Sequence, residues 1–119
     1  MTDTSLVLLH MCSIEEWLSV RASNEIRPPG FDDIGFVHLS TAEQVQLPAN
    51  RLFAGRSDIV LLVVDPDRLG SIVRWEPGVP GDPEAMHFPH LYGPLPTSAI
   101  VGVVDYAPNA DGKFGPPKL

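Results

Sequence analysis

The residues of this chain best suited to chemistry are four histidines, a glutamate at a strand end and three arginines: His10, His38, His87, His90, Glu76, Arg51, Arg56 and Arg74. Imidazole changes charge near neutral pH, so it serves as a proton carrier, a donor to a ligand hydroxyl, or a metal ligand. His10 closes the apolar run SLVLLH, and His38 interrupts GFVHLS, where Phe36, His38 and Ser40 alternate onto one face. A lone histidine on an apolar strand is commonly a hydrogen-bonded core residue. Two of them, one beside Ser40 and both on strands that hold side chains rigidly, point to a site instead. His90 and Tyr92 stand in FPHLYGPLP (88–96) between the apolar anchors Phe88, Leu91 and Leu95. Glu76 ends SIVRWE, where a carboxylate can reach a sugar hydroxyl or a developing cation. Arg51 and Arg74, ahead of Arg56, are the candidates for holding a small anion.

Two other readings of these residues are weaker. His87-x-x-His90, completed by His38 or Cys12, would be part of a zinc set. It has neither the helical i, i+4 spacing of HExxH nor any CxxC, and structural zinc takes four protein ligands. The site is therefore read as metal-free. Cys12 lies two residues from His10 but reads as a small buried hydrophobe rather than a nucleophile. Neither GxGxxG nor GxxxxGK[ST] occurs, which removes the common phosphate-binding loops.

The elements that must position these groups follow from periodicity and punctuation. Residues 5–11 form an apolar run of strand length. Ser13 with Glu16 is a capping box opening a helix through SIEEWLSVR, with Ile14, Trp17 and Leu18 on one face. Residues 22–34 have no periodicity and read as a loop. A second short strand covers 35–40. Thr41 with Gln44 opens a further helix towards Gly55, which Pro48 is expected to kink. DIVLLVVD (58–65) is the clearest strand, SIVRWE the next, and AIVGVVDY (99–106) the last. Pro89, Pro94 and Pro96 argue against any helix or central strand in FPHLYGPLP, which is expected to be a stiff proline-clamped loop. The Pro/Gly-rich tail, 107–119, is expected to fray from a single domain spanning 1–106. The order β-α-β-α-β-β-loop-β disfavours a doubly wound parallel sheet. It favours a compact α+β domain with a small split, mostly antiparallel sheet and two to three short helices.

At 119 residues, 44% hydrophobic and 19% charged, the chain has globular composition and enough length for one core. Its net charge of −7 is a poor footprint for nucleic acid but leaves room for a small anionic ligand held by local arginines. MTDTSLVLLHMC lacks a basic leader region and a long apolar run, and Cys12 is the single cysteine. The expectation is a cytoplasmic protein with a small-molecule partner and no membrane contact.

GFVHLST, NRLFAG with DIVLLVVD, VRWE, FPHLYGPLP and the opening LLHMCSIEEW together resemble the family called domain of unknown function 952, over about residues 6 to 105. That family is similar in fold to the ADP-ribosyltransferases, which use NAD on a small split sheet. The resemblance implies that His10 and His38 hold the nicotinamide-side ribose, and that Glu76 stands in for a catalytic glutamate. Breaking the nicotinamide–ribose bond builds positive charge on the sugar, so donors to the ribose hydroxyls and a nearby carboxylate suit it. His10, His38 and Glu76 with His90 are the expected catalytic set. Ser40, Thr41, Arg51, Arg74 and Tyr92 are the expected ligand contacts, Arg51 on phosphate and Tyr92 stacked on a planar ring. The implied activity is ADP-ribosyl or phosphate transfer with NAD as substrate rather than resident cofactor. The rival is a non-enzymatic ligand-sensing or interaction module built on the same cleft.

Overall fold

The run IVLLVV has no polar alternation, and its place in the fold explains why. In the computed structural model, which describes residues 7–119, these residues form β4 (Ile59–Val64), the middle strand of an antiparallel three-stranded sheet. Its neighbours are β1 (Leu8–Ser13) and β8 (Ile100–Tyr106). Both faces of this sheet are covered, so every position on β4 is drawn toward apolar side chains. Leu8, Cys12, Val60 and Leu62 pack on one side against Val37 and Leu91. Leu9, Ile59 and Leu61 pack on the other against Val45, Ala49 and Phe114.

A second three-stranded antiparallel sheet has the order β3 (Val37–His38), β6 (His87–Leu91), β5 (Val73–Pro77). FPHLYGPLP is thus no loop at its start: β6 is the central strand of this sheet, with Pro89 in its middle. The reason lies on the β3 side. Leu39 N–H donates to the Pro89 carbonyl at 3.0 Å, but Pro89 has no N–H to return. The β3–β6 ladder ends there, after Val37↔Leu91 and His38↔His90. The chain then leaves for the larger sheet, where Ser40 and Leu9 exchange two backbone hydrogen bonds of 2.8 Å. The two sheets part on either side of that single bridge.

The helices are short. Ser13 caps α1 (Ile14–Val20) by accepting from Glu16 N–H at 3.0 Å. Trp17 and Val20 are the α1 residues that meet the core, while Ile14 and Leu18 stay exposed, so the buried stripe is one step off the expected one. Residues 22–34 hold β2 (Glu25–Ile26) and the one-turn α2 (Phe31–Ile34) rather than only loop. β2 pairs with β7 (Leu95–Pro96). The third helix, α3 (Gln46–Leu52), begins later than expected, which places Pro48 in its first turn, where no intrahelical N–H is needed. Pro48 therefore neither kinks nor splits it. The tail does not fray: Phe114 is buried, and its backbone N–H and carbonyl both pair with the Asn50 side chain, at 2.7 and 3.0 Å. No helix among the described residues is long and apolar enough to cross a membrane.

Candidate functional site

Strand period sorts the smaller sheet into two faces. Val37, Leu39, Leu91 and Val73 enter the core. The opposite face carries the polar and aromatic set: Phe36 and His38 from the β3 segment, His90 from β6, and Arg74 and Glu76 from β5. Register makes two neighbours of distant residues, because His38 sits directly opposite His90, and Arg74 opposite His90 on the other flank. Phe36, His38 and His90 line a cleft of about 530 Å³. Its walls come from β1, the β3 segment, α3, β6, the loop after β5, and Pro28 and Pro29.

Of the expected site residues, His10, His38, Ser40, Arg51 and His90 line this cleft. Glu76, Thr41, Arg74 and Tyr92 do not. Thr41 has its N–H taken by the Gln44 side chain at 3.1 Å, the reciprocal half of a capping box. Arg74 lies over the Tyr92 ring, 5.5 Å from its centroid, outside the cavity. The Tyr92 ring lies against Phe36, with centroids 5.3 Å apart, and its hydroxyl donates to Glu76 Oε1 at 2.6 Å. Glu76 accepts a second hydrogen bond on the same oxygen from His90 Nδ1, at 2.9 Å. The carboxylate thus meets the cleft only through His90. The cleft's aromatic wall is Phe36, which stacks on His90 with centroids 4.0 Å apart. Its sequence signal was present, since Phe36 shares the period-2 face of His38 and Ser40.

The electrostatics are those of a neutral, partly apolar cavity. His10 Nδ1–H donates to the His38 carbonyl at 2.9 Å, which leaves Nε2 as the other ring position. Burial lowers the pKa of His10, partly offset by that hydrogen bond. His38 is lowered too, by burial first and then by the neighbouring His90, His10 and Arg51. Glu76 is held low by the hydrogen bonds from Tyr92 and His90. Arg51 is not waiting for an anion: its Nη1–H donates to Asp82 Oδ1 at 2.9 Å, and the other Asp82 oxygen accepts from Val79 N–H. Arg56, also on the wall, is paired with Asp58 at 2.9 and 2.6 Å. Asp82 lines the cleft without any distinguishing motif, and Glu16, which the sequence marked only as a capping residue, lines it too. Burial raises the Glu16 pKa. Cys12 lines the cleft, yet burial and then Glu16 push its thiol up to about 12, which removes it as a nucleophile. His87 is exposed and, three positions from His90 on one strand, projects from the opposite face, so HxxH cannot converge on one ion. Among the described residues no group of three or more His, Cys, Asp or Glu is arranged to hold a metal.

Fold and site together define a small antiparallel α+β domain whose two three-stranded sheets meet at a histidine-lined cleft. The chain belongs to the DUF952 family, described as proteins of unknown function, whose profile matches residues 11–103. Its fold is similar to the X-ray structure of protein CC0527 from Caulobacter crescentus, at 33% identity and a TM-score of 0.76, covering 92% of this chain and 93% of that one. The solution NMR structure of the same Caulobacter crescentus protein gives 33% identity and a TM-score of 0.75, over 92% and 91% of the two chains. No match is found among curated proteins.

Proposed function

We propose that the cleft binds a small nucleotide-like ligand, with NAD the first to test, and that its histidines hold the ribose. The observation that carries this reading is the meeting of His10, His38 and His90, from strands of two different sheets, in one cavity of about 530 Å³. That volume falls within the range of small-molecule pockets, roughly 300–1,000 Å³, which enclose a nucleotide-sized body. Imidazole nitrogens beside Ser40 suit vicinal hydroxyls, and Phe36 offers a face to a planar ring. An ADP-ribosyltransferase-like use of the cleft between the two three-stranded sheets would take the same ligand, and group transfer to an acceptor hydroxyl is the activity proposed with it.

Two features temper the affinity. No glycine-rich loop presents a row of backbone donors, and a phosphate must compete with Asp82 for Arg51. The test is an NMR titration of the whole chain with NAD at low and at physiological salt. Shifts should cluster on residues 9–13, 36–40, 51 and 88–90, and weaken as salt screens the Arg51 contact. His38→Ala should reduce binding more than it reduces stability. Absence of shifts at millimolar NAD would remove the nucleotide reading.

A further inference from the structure

We propose that His90 is the proton-transferring group of this cleft, through its Nε2, and that Glu76 acts through it as a positioning residue rather than facing the ligand. The proposal rests on reading the cavity as a ligand site, and it adds a reaction class: deprotonation of a ligand hydroxyl.

The hydrogen bonds fix the tautomer. A carboxylate oxygen can only accept, so His90 Nδ1 carries the proton shared with Glu76 Oε1. In the neutral ring the lone pair is then on Nε2. That atom has no partner among the described residues, and no buried side-chain nitrogen or oxygen there is left unpaired. His90 is largely buried, at 7% exposure, and the part of it that is not enclosed lines the cleft. The ring is also held in orientation, with Phe36 stacked at 4.0 Å and His38 edge-on at 5.5 Å. Behind it, Tyr92 donates to the same carboxylate oxygen, and Arg74 lies over the Tyr92 ring. This backing keeps Glu76 ionised and stationary. An ionised carboxylate on Nδ1 orients the imidazole and stabilises the imidazolium that forms when Nε2 takes a proton.

The step balances without oxidant or reductant. The Nε2 lone pair takes the proton of a hydroxyl; the O–H bond breaks, an N–H bond forms, and the electron pair stays on oxygen. That oxygen bonds to an electrophilic glycosyl carbon or phosphorus of the nucleotide-like ligand. The leaving group departs with its bonding pair and receives the proton back from Nε2.

The experiment uses the whole chain without ligand. Long-range proton–nitrogen correlation spectra of labelled histidines should show neutral His90 as the single Nδ1–H tautomer, in the wild type and in Tyr92→Phe. Glu76→Ala should give a mixture of tautomers. Diethyl pyrocarbonate, which acylates unprotonated imidazole nitrogen, should modify Nε2 of His90, and Glu76→Ala should slow this severalfold. Should Glu76→Ala fail to fold, Glu76→Gln serves: it retains an acceptor and the tautomer but loses the charge, so acylation should still slow. A wild-type Nε2–H tautomer, or acylation of Glu76→Gln at the wild-type rate, would overturn the proposal. Neither readout needs NAD, so a failed NAD titration and a failed tautomer assignment are separate results.

Discussion

His10 and His38 share a property that sets how the protein responds to acid. Burial of His10 and partial desolvation of the more exposed His38 hold both pKa values below the ordinary 6.5, and His90, His10 and Arg51 lower His38 further. Below 6.5 the unfolded chain takes protons that the folded chain still refuses. The stability these rings contribute is therefore complete above that value and is lost as pH falls toward the folded pKa values. Urea midpoints should be lower at about pH 5.5 than at about pH 7.5. His10→Gln, which keeps a donor for the His38 carbonyl and cannot titrate, should flatten that difference; an unchanged slope would show that His10 is not its source. Glu76 acts in a lower window. Its depressed pKa gives stability present above the ordinary 4.5 and lost as pH falls below it.

At the scale of elements, what was legible depended on whether a side chain announced its own hydrogen bond. The Ser13–Glu16 spacing marked the start of α1 correctly, because the cap is local. Ser13→Ala should cost about 1 kcal/mol, read as a shift in urea midpoint with unchanged slope. The cleft histidines were legible for a similar reason: a titratable group in an apolar strand stands out. A proline's missing donor argues against a central strand, but Pro89 sits in one and marks where its ladder with β3 stops. Glu25–Ile26 and Phe31–Ile34 are too short to carry a period, so 22–34 read as loop. Asp82, which claims Arg51, lies in a Pro/Gly-rich stretch where nothing local signals a partner 31 positions away. The roles of Glu76 and Tyr92 depended on register, which sets whether a carboxylate points at the cavity or at the histidine lining it.

Across the whole molecule the tail completes the core. Phe114 is 3% exposed and packs on the Tyr106 ring with centroids 4.8 Å apart, while Asn50 holds its backbone. Phe114→Ala should cost about 3 kcal/mol, measured by chemical denaturation, against less than about 0.5 kcal/mol for an exposed tail residue such as Lys113→Ala. The position of β4 has a consequence for synthesis. Its two partners come from opposite ends of the chain, so a nascent chain carries IVLLVV with one edge open until β8 has emerged. An uncharged, branched, apolar strand with a free edge pairs readily with another copy of itself. Ribosomes stalled before Tyr106 would therefore release self-associating fragments instead of a smaller working domain, and slow decoding between β4 and β8 would lengthen that exposure.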